Sequence, residues 1–206
     1  SEKLSRAPWV LVVGAEGRLI EKLEAAGPPL KGFATNIFTG LQTSADRIYA
    51  LEARGRPRGR LIKVFSRQTG KVYELETTLL KPLISGKHVK RYSHPHSSIL
   101  LLFPYDVSDG KASLIRQKEF KAEYPRCWEY LIENKAALEA REGGRMRGSQ
   151  WYAFGRTQNL GLHEFRKLAL PRLVKRLTAT YDRDGSFYLD NVDVGGVLLK
   201  KQEEAH

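Results

Sequence analysis

Four arginines occupy every second position of Arg54-Gly55-Arg56-Pro57-Arg58-Gly59-Arg60. The glycines and the proline disfavour a regular helix, so these guanidinium groups are expected to project from a mobile loop. A planar guanidinium matches the oxygens of a phosphate and the acceptor edge of guanine. The chemistry offered is recognition of a polyanion. Lys63, Arg67 and Lys71 carry the charge into the next segment. A solvated surface loop has the same composition, and it is the continuity with that basic segment that favours nucleic acid.

Two further segments have this character. Gly86-Lys87-His88-Val89-Lys90-Arg91-Tyr92 places Lys87, Lys90 and Arg91 where cations can follow a phosphate backbone. Tyr92 suits a sugar or phosphate contact and a place in the core equally. In Trp151-Tyr152-Ala153-Phe154-Gly155-Arg156-Thr157-Gln158-Asn159, the side chains of Arg156, Gln158 and Asn159 are of the kinds that pair with base edges and also cap turns. Arg156 is expected to face phosphate and Asn159 to close a turn, while Trp151 and Phe154 fit a core better than a base stack. Arg145 and Arg147, set among Gly143, Gly144 and Gly148, make a flexible basic approach.

Bond-making chemistry has weaker signals. His88, His94, His96 and Cys127 lack the paired spacing of a zinc site. Gly14-Ala15-Glu16-Gly17 is not a dinucleotide fingerprint, and the serine-hydrolase, zinc-protease and phosphate-loop motifs are missing from the sequence. Asp182, Asp184, Asp190 and Asp193 imitate a metal-dependent nuclease cluster, but turn chemistry explains the first two more simply.

The elements that must hold these residues follow from periodicity. Trp9–Val13 reads as a strand and about 16–26 as a helix stopped by Gly27-Pro28-Pro29. Strands are expected around Ile37-Phe38 and Ile48–Leu51, a hairpin over 61–76 turning at Gln68-Thr69-Gly70, a short helix near 77–84, and a buried strand at Ile99–Phe103. One helix is expected over 125–141, with Pro125 in its first turn. A short helix over 162–168 and a strand around 168–170 follow. A second hairpin should pair 177–181 with 186–189 across Asp184-Gly185. Strands outnumber helices without regular alternation, so the expected class is α+β: mixed or antiparallel twisted strands and hairpins with a few packed helices. The chain reads as a single domain over 1–206, with a β-rich part over about 30–120 and a helical and hairpin part over about 121–200.

Charge narrows the partner. The 206 residues contain 35 Lys and Arg against 23 Asp and Glu, a net charge of +12. Residues 53–105 hold 11 of those cations against Glu74 and Glu76. Such an excess favours displacement of the counterions on nucleic acid. No long amphipathic basic helix is seen to serve a membrane surface. No apolar run approaches the roughly 20 residues of a bilayer span, and the first residues lack a secretory signal pattern. The single Cys127 precludes an internal disulfide framework and fits a reducing cytoplasm.

Taken in order, several segments resemble the TaqI-like C-terminal specificity domain of adenine-specific DNA methyltransferases and of restriction enzymes fused to them. They are Ile37-Phe38-Thr39-Gly40-Leu41-Gln42-Thr43-Ser44-Ala45-Asp46, then Leu80-Lys81-Pro82-Leu83-Ile84-Ser85-Gly86-Lys87-His88-Val89-Lys90-Arg91-Tyr92, then Tyr124-Pro125 with Trp128, Tyr130 and Leu131. Leu138 to Arg141, Trp151 with Gly155 to Asn159, and Lys167 to Arg172 complete a match over roughly residues 9–200. The resemblance implies a target-recognition domain that grips double-stranded DNA beside a methyltransferase domain of the same polypeptide. That partner domain flips out an adenine and methylates it from S-adenosylmethionine. The family's cofactor loop and its N-P-P-Y-type motif are not found in these residues, and the start at Ser1 suggests an excised piece. The expectation is a DNA-binding module of a prokaryotic cytoplasm, with no catalysis, cofactor or metal of its own and no membrane partner. The other readings are an RNA-binding accessory domain and a small metal-dependent nuclease.

Overall fold

The computed structural model describes residues 14–91 and 93–200. The chain divides into two units, Ser1–Ala34 and Thr35–His206. In the first, the expected helix is present as α1 (Ala15–Ala25), and a single turn, α2 (Leu30–Phe33), follows Gly27-Pro28-Pro29. Leu19 and Leu23 share one stripe of α1 and are exposed. The strand expected at Trp9–Val13 lies outside the described residues.

From Thr35 on, the second unit contains the rest of β1 (Ala34–Thr39), a helical turn α3 (Asp46–Tyr49) and β2 (Ala50–Ala53). The hairpin expected over 61–76 is β3 (Leu61–Ser66) paired with β4 (Lys71–Glu76) through six residue pairs. Ile62 and Val64 point inward and Lys63 outward, the alternation that fixes register on a one-sided sheet. Then come β5 (Leu80–Ile84), β6 (Ile99–Leu102), and a hairpin of β7 (Tyr105–Ser108) and β8 (Lys111–Leu114). Asp109 and Gly110, with φ of 50° and 74°, form the two-residue turn of that hairpin. The helices α4 (Gln117–Glu123), α5 (Pro125–Glu133) and α6 (Lys135–Glu139) follow. Then come β9 (Lys167–Pro171), β10 (Thr180–Asp182), β11 (Tyr188–Leu189) and β12 (Val194–Leu199).

The class is α+β, and its larger sheet is mixed. A six-stranded sheet runs β11-β5-β6-β2-β3-β4 and a four-stranded sheet β1-β12-β9-β10. Only the short β11 joins the larger sheet in parallel, pairing with β5. Tyr130 of α5 ties the helices to that sheet. Its hydroxyl donates to the Ile48 carbonyl at 2.7 Å and is hydrogen-bonded to Ser66 Oγ at 2.9 Å. The main core lies there, with Phe120, Trp128, Trp151 and Tyr152 packed edge to face. A smaller core of Phe38, Ile84, Phe187 and Val194 lies with the four-stranded sheet.

Several local expectations change. Ile48 and Tyr49 are helical, in α3, and only Leu51 is in a strand. The helix expected near 77–84 is a 3₁₀ turn, Thr77–Leu79, leading into β5. The helix over 125–141 is broken at Asn134, whose side chain donates to the Tyr130 carbonyl at 2.8 Å and so takes an acceptor from the helix ladder. The helix near 162–168 is a 3₁₀ turn, Leu160–Glu164. The 177–189 hairpin does not form: β10 joins β9, and β11 joins β5. The carboxylate of Asp182 is the reason. It accepts the backbone N–H groups of Ser186 and Phe187, each at 3.0 Å, and turns the chain away from β10.

Candidate nucleic-acid interface

Antiparallel pairing decides which loops share an end of the larger sheet. β2 ends where β6 begins, with Glu52 opposite Ile99 and the Ala53 N–H donating to the Ser98 carbonyl at 2.8 Å. β5 runs antiparallel to β6, so its last residues reach the same end. The 54–60 loop and the 85–98 loop therefore leave the sheet side by side. Arg54, Arg56, Arg58 and Arg60 are in one; Lys87, Lys90 and Arg91 are in the other, and all seven are exposed.

The 54–60 loop is pinned rather than free. The Arg54 N–H donates to Lys63 O at 2.7 Å, and Arg58 and Leu61 exchange backbone hydrogen bonds. The Arg60 carbonyl accepts from the Thr77 N–H at 2.9 Å. Gly55 and Gly59, with φ of 97° and 59°, allow this tight return. The result is a cleft of about 320 Å³ between Arg54, Arg56, Arg58, Lys63 and Glu74.

Not all of its charge is equally available. Glu52 holds Arg54 at 3.0 Å and Arg67 at 2.7 Å, and the Arg54 guanidinium lies over the Phe65 ring at 5.1 Å. Glu74 is paired with Arg126 at 2.6 Å. Arg56, Arg58 and Lys63 form no ion pair among the described residues. Exposed pairs contribute about 0–1 kcal/mol, so a phosphate competes readily for Arg54 and Arg67.

The second loop is held by its first turn. Ser85 and His88 form a capping box: His88 Nδ1 accepts the Ser85 N–H at 3.0 Å. Burial and the neighbouring Lys87 lower the pKa of His88, which suits that acceptor role. The Gly86 N–H donates to Asp193 Oδ1 at 2.7 Å. Lys87 and Lys90 project from this anchored turn. Tyr92 lies outside the described residues.

A third basic loop, not singled out by motif, joins the other two. Residues 172–179 connect β9 to β10. The Arg172 N–H donates to the Asp193 carbonyl at 2.7 Å, and Thr180 Oγ1 donates to the Ser93 carbonyl at 2.9 Å. Arg172, Lys175 and Arg176 are thereby carried to the flank of the 85–98 loop, exposed. The signal was present as three cations among Leu173, Val174 and Leu177, but Leu177 fitted a strand.

The segments containing Arg145, Arg147, Arg156, Gln158 and Asn159 are organised separately, around Arg141. That side chain is buried and donates to four carbonyls: Leu138 at 2.8 Å, Thr43 at 2.8 Å, Trp151 at 2.7 Å and Ala153 at 2.9 Å. The Gly155 and Arg156 N–H groups donate to the Thr43 and Gln42 carbonyls, each at 3.1 Å. Asn159 is left-handed, with φ of 62°, and its carbonyl accepts from Leu162, closing a turn. Arg145, Arg147, Arg156 and Gln158 are exposed, whereas Trp151 and Phe154 are core. Leu41, next to Gln42, is bound to Leu189 in the edge strand β11. This group is therefore tied to the β11 edge through Leu41 and to α3 through Tyr49, whose hydroxyl donates to the Tyr152 carbonyl at 2.8 Å.

The residues considered for other chemistry are engaged elsewhere. Asp182 is buried against Lys167 Nζ at 2.5 Å, and Lys167 also donates to the His163 carbonyl at 2.5 Å. Burial lowers the Lys167 pKa, opposed by its hydrogen bond to Asp182. Cys127 is buried, and burial followed by Glu76 raises its thiol well above the usual range. Among the described residues, no cluster of His, Cys, Asp or Glu is arranged to hold a metal, and no helix is long and apolar enough to cross a membrane. No protein-family model matches the chain, and a search of curated proteins finds no match.

Proposed function

We propose that the chain is the target-recognition module of an adenine-specific DNA methyltransferase, or of a fused restriction–modification enzyme, and that it binds double-stranded DNA. The observation that supports this reading is the convergence of the basic loops 54–60 and 85–98 at one end of one sheet. Lysines and arginines there displace counterions from the phosphates and fix register, while base edges are read by the side chains that enter a groove. Methyl transfer belongs to a catalytic domain of the same polypeptide, which would bind the methyl donor S-adenosylmethionine. The setting is the cytoplasm of a prokaryote. A duplex is favoured over single-stranded RNA because the aromatic residues are largely taken up by the core: Tyr49, Phe103, Trp128, Trp151 and Phe154 are all buried. Recognition of unpaired bases needs such rings at the surface.

The test is a salt titration of binding to a labelled duplex of mixed sequence. Replacing Arg56, Arg58, Lys87 and Lys90 together by alanine should flatten the plot of log affinity against log salt by about 3.6, roughly 0.9 for each phosphate no longer neutralised. A wild-type slope that the quadruple variant leaves unchanged would remove this end of the sheet from the interface.

A further inference from the structure

The 172–179 loop has a composition that charge alone does not explain. Leu173 and Leu177 are 92% and 80% exposed, the two most exposed large apolar side chains among the described residues. Single exposed leucines are common on protein surfaces. Here two stand on one loop, interleaved with Arg172, Lys175 and Arg176. The base of the loop is fixed, since Arg172 is bound to Asp193, which also holds Gly86, and Thr180 is bound to Ser93. The leucines thus stand on a loop anchored at both ends to the neighbourhood of the 85–98 loop.

We infer that Leu173 and Leu177 enter a groove of the bound duplex and pack against sugars and base edges, while Arg172, Lys175 and Arg176 straddle the flanking phosphates. The inference rests on the duplex-binding reading and extends it to a contact with a different physical signature. Apolar side chains placed in a groove contribute through desolvation and close packing, which are insensitive to salt. The three cations contribute through counterion release, which is not. Charge complementarity selects the occupant: an apolar tip ringed by cations fits a polyanion with a less polar floor, and a duplex groove has that character.

The experiment compares three variants of the full chain by fluorescence anisotropy on the same mixed-sequence duplex, each over a range of salt. L173S/L177S should weaken binding about tenfold or more with the salt slope unchanged. R172A/K175A/R176A should lower the slope by about 2.7. L173F/L177F, which keeps the apolar tip, should retain the affinity. Because all five side chains face solvent, thermal unfolding of all three variants should match the wild type. Affinity unaltered in L173S/L177S would overturn the inference and assign the leucines to a protein surface. A weakening accompanied by a changed slope would also overturn it, since the loop would then act through its charges. If the wild-type chain itself fails to bind the duplex, the duplex-binding reading fails, and the groove contact with it.

Discussion

Acid should weaken this protein through one histidine. His163 is fully buried, its ring stacked on Tyr188 at 5.4 Å and meeting Phe38 at 5.1 Å. Its Nδ1 accepts the Leu189 N–H at 3.2 Å, which requires the neutral ring. Burial first, and then the nearby Lys167 charge, hold its pKa at about 3, against 6.5 when solvated. Between those values the unfolded chain binds a proton that the folded chain refuses, so the contribution of His163 to stability is fully present above pH 6.5 and is lost as pH falls toward 3. One pKa unit corresponds to about 1.4 kcal/mol. Moving from about pH 7 to about pH 5 should therefore cost roughly 2 kcal/mol, a substantial part of the ordinary stability of a domain. Urea unfolding at several pH values measures this directly. His163→Asn offers an amide oxygen to Leu189 but no titration in this range. The variant should start less stable and lose less on acidification. Parallel pH dependences for the two proteins between about pH 6.5 and pH 5 would refute the reasoning.

Two other buried groups give sharp expectations. Lys167→Met leaves the Asp182 carboxylate buried without its cation and should cost about 3–5 kcal/mol by urea unfolding, because removing one partner strands the other. Arg141→Lys cannot span the four carbonyls that the guanidinium joins and should cost about 2 kcal/mol. In that variant the Gly155 and Arg156 amides, which donate to Thr43 and Gln42, should exchange with solvent faster while the β3–β4 amides stay protected.

Local signals in the sequence survive where they are self-contained. The β3–β4 hairpin is legible because alternation and Gly70 act within 16 residues. The end of α1 is legible because Gly27-Pro28-Pro29 needs no partner to stop a helix. What fails depends on distant partners. Tyr188 and Leu189 look like the return strand of a hairpin, but Asp182 captures the amides that would continue it, and Lys167 makes that carboxylate tolerable in the core. Arg141 is the last residue of the expected 125–141 helix, and its role emerges only when Thr43, Trp151 and Ala153 come around it. For the candidate interface, the arginines of 54–60 and the cations of 87–91 were visible as residues. Their adjacency was not, because it is set by the pairing of β2, β5 and β6. The 172–179 loop is hidden because Leu177 fits a strand and because its anchors, Asp193 and Ser93, are distant in the sequence.

The pairing of β11 with β5 also imposes an order on assembly. It joins Tyr188 to Leu83 across more than one hundred positions of the chain. Contacts of such separation form late, because the loop they close must lose its freedom first. During synthesis the β3–β4 hairpin is complete at once and β5 soon has β6 along one edge, whereas the other edge of β5 must wait until residues 188–189 have been made. The anchors of the other basic loops wait too, since Gly86 needs Asp193 and Ser93 needs Thr180. A nascent chain therefore displays the 54–60 arginines well before it has a finished basic end, and the three basic loops are all anchored only once translation has passed the last strands.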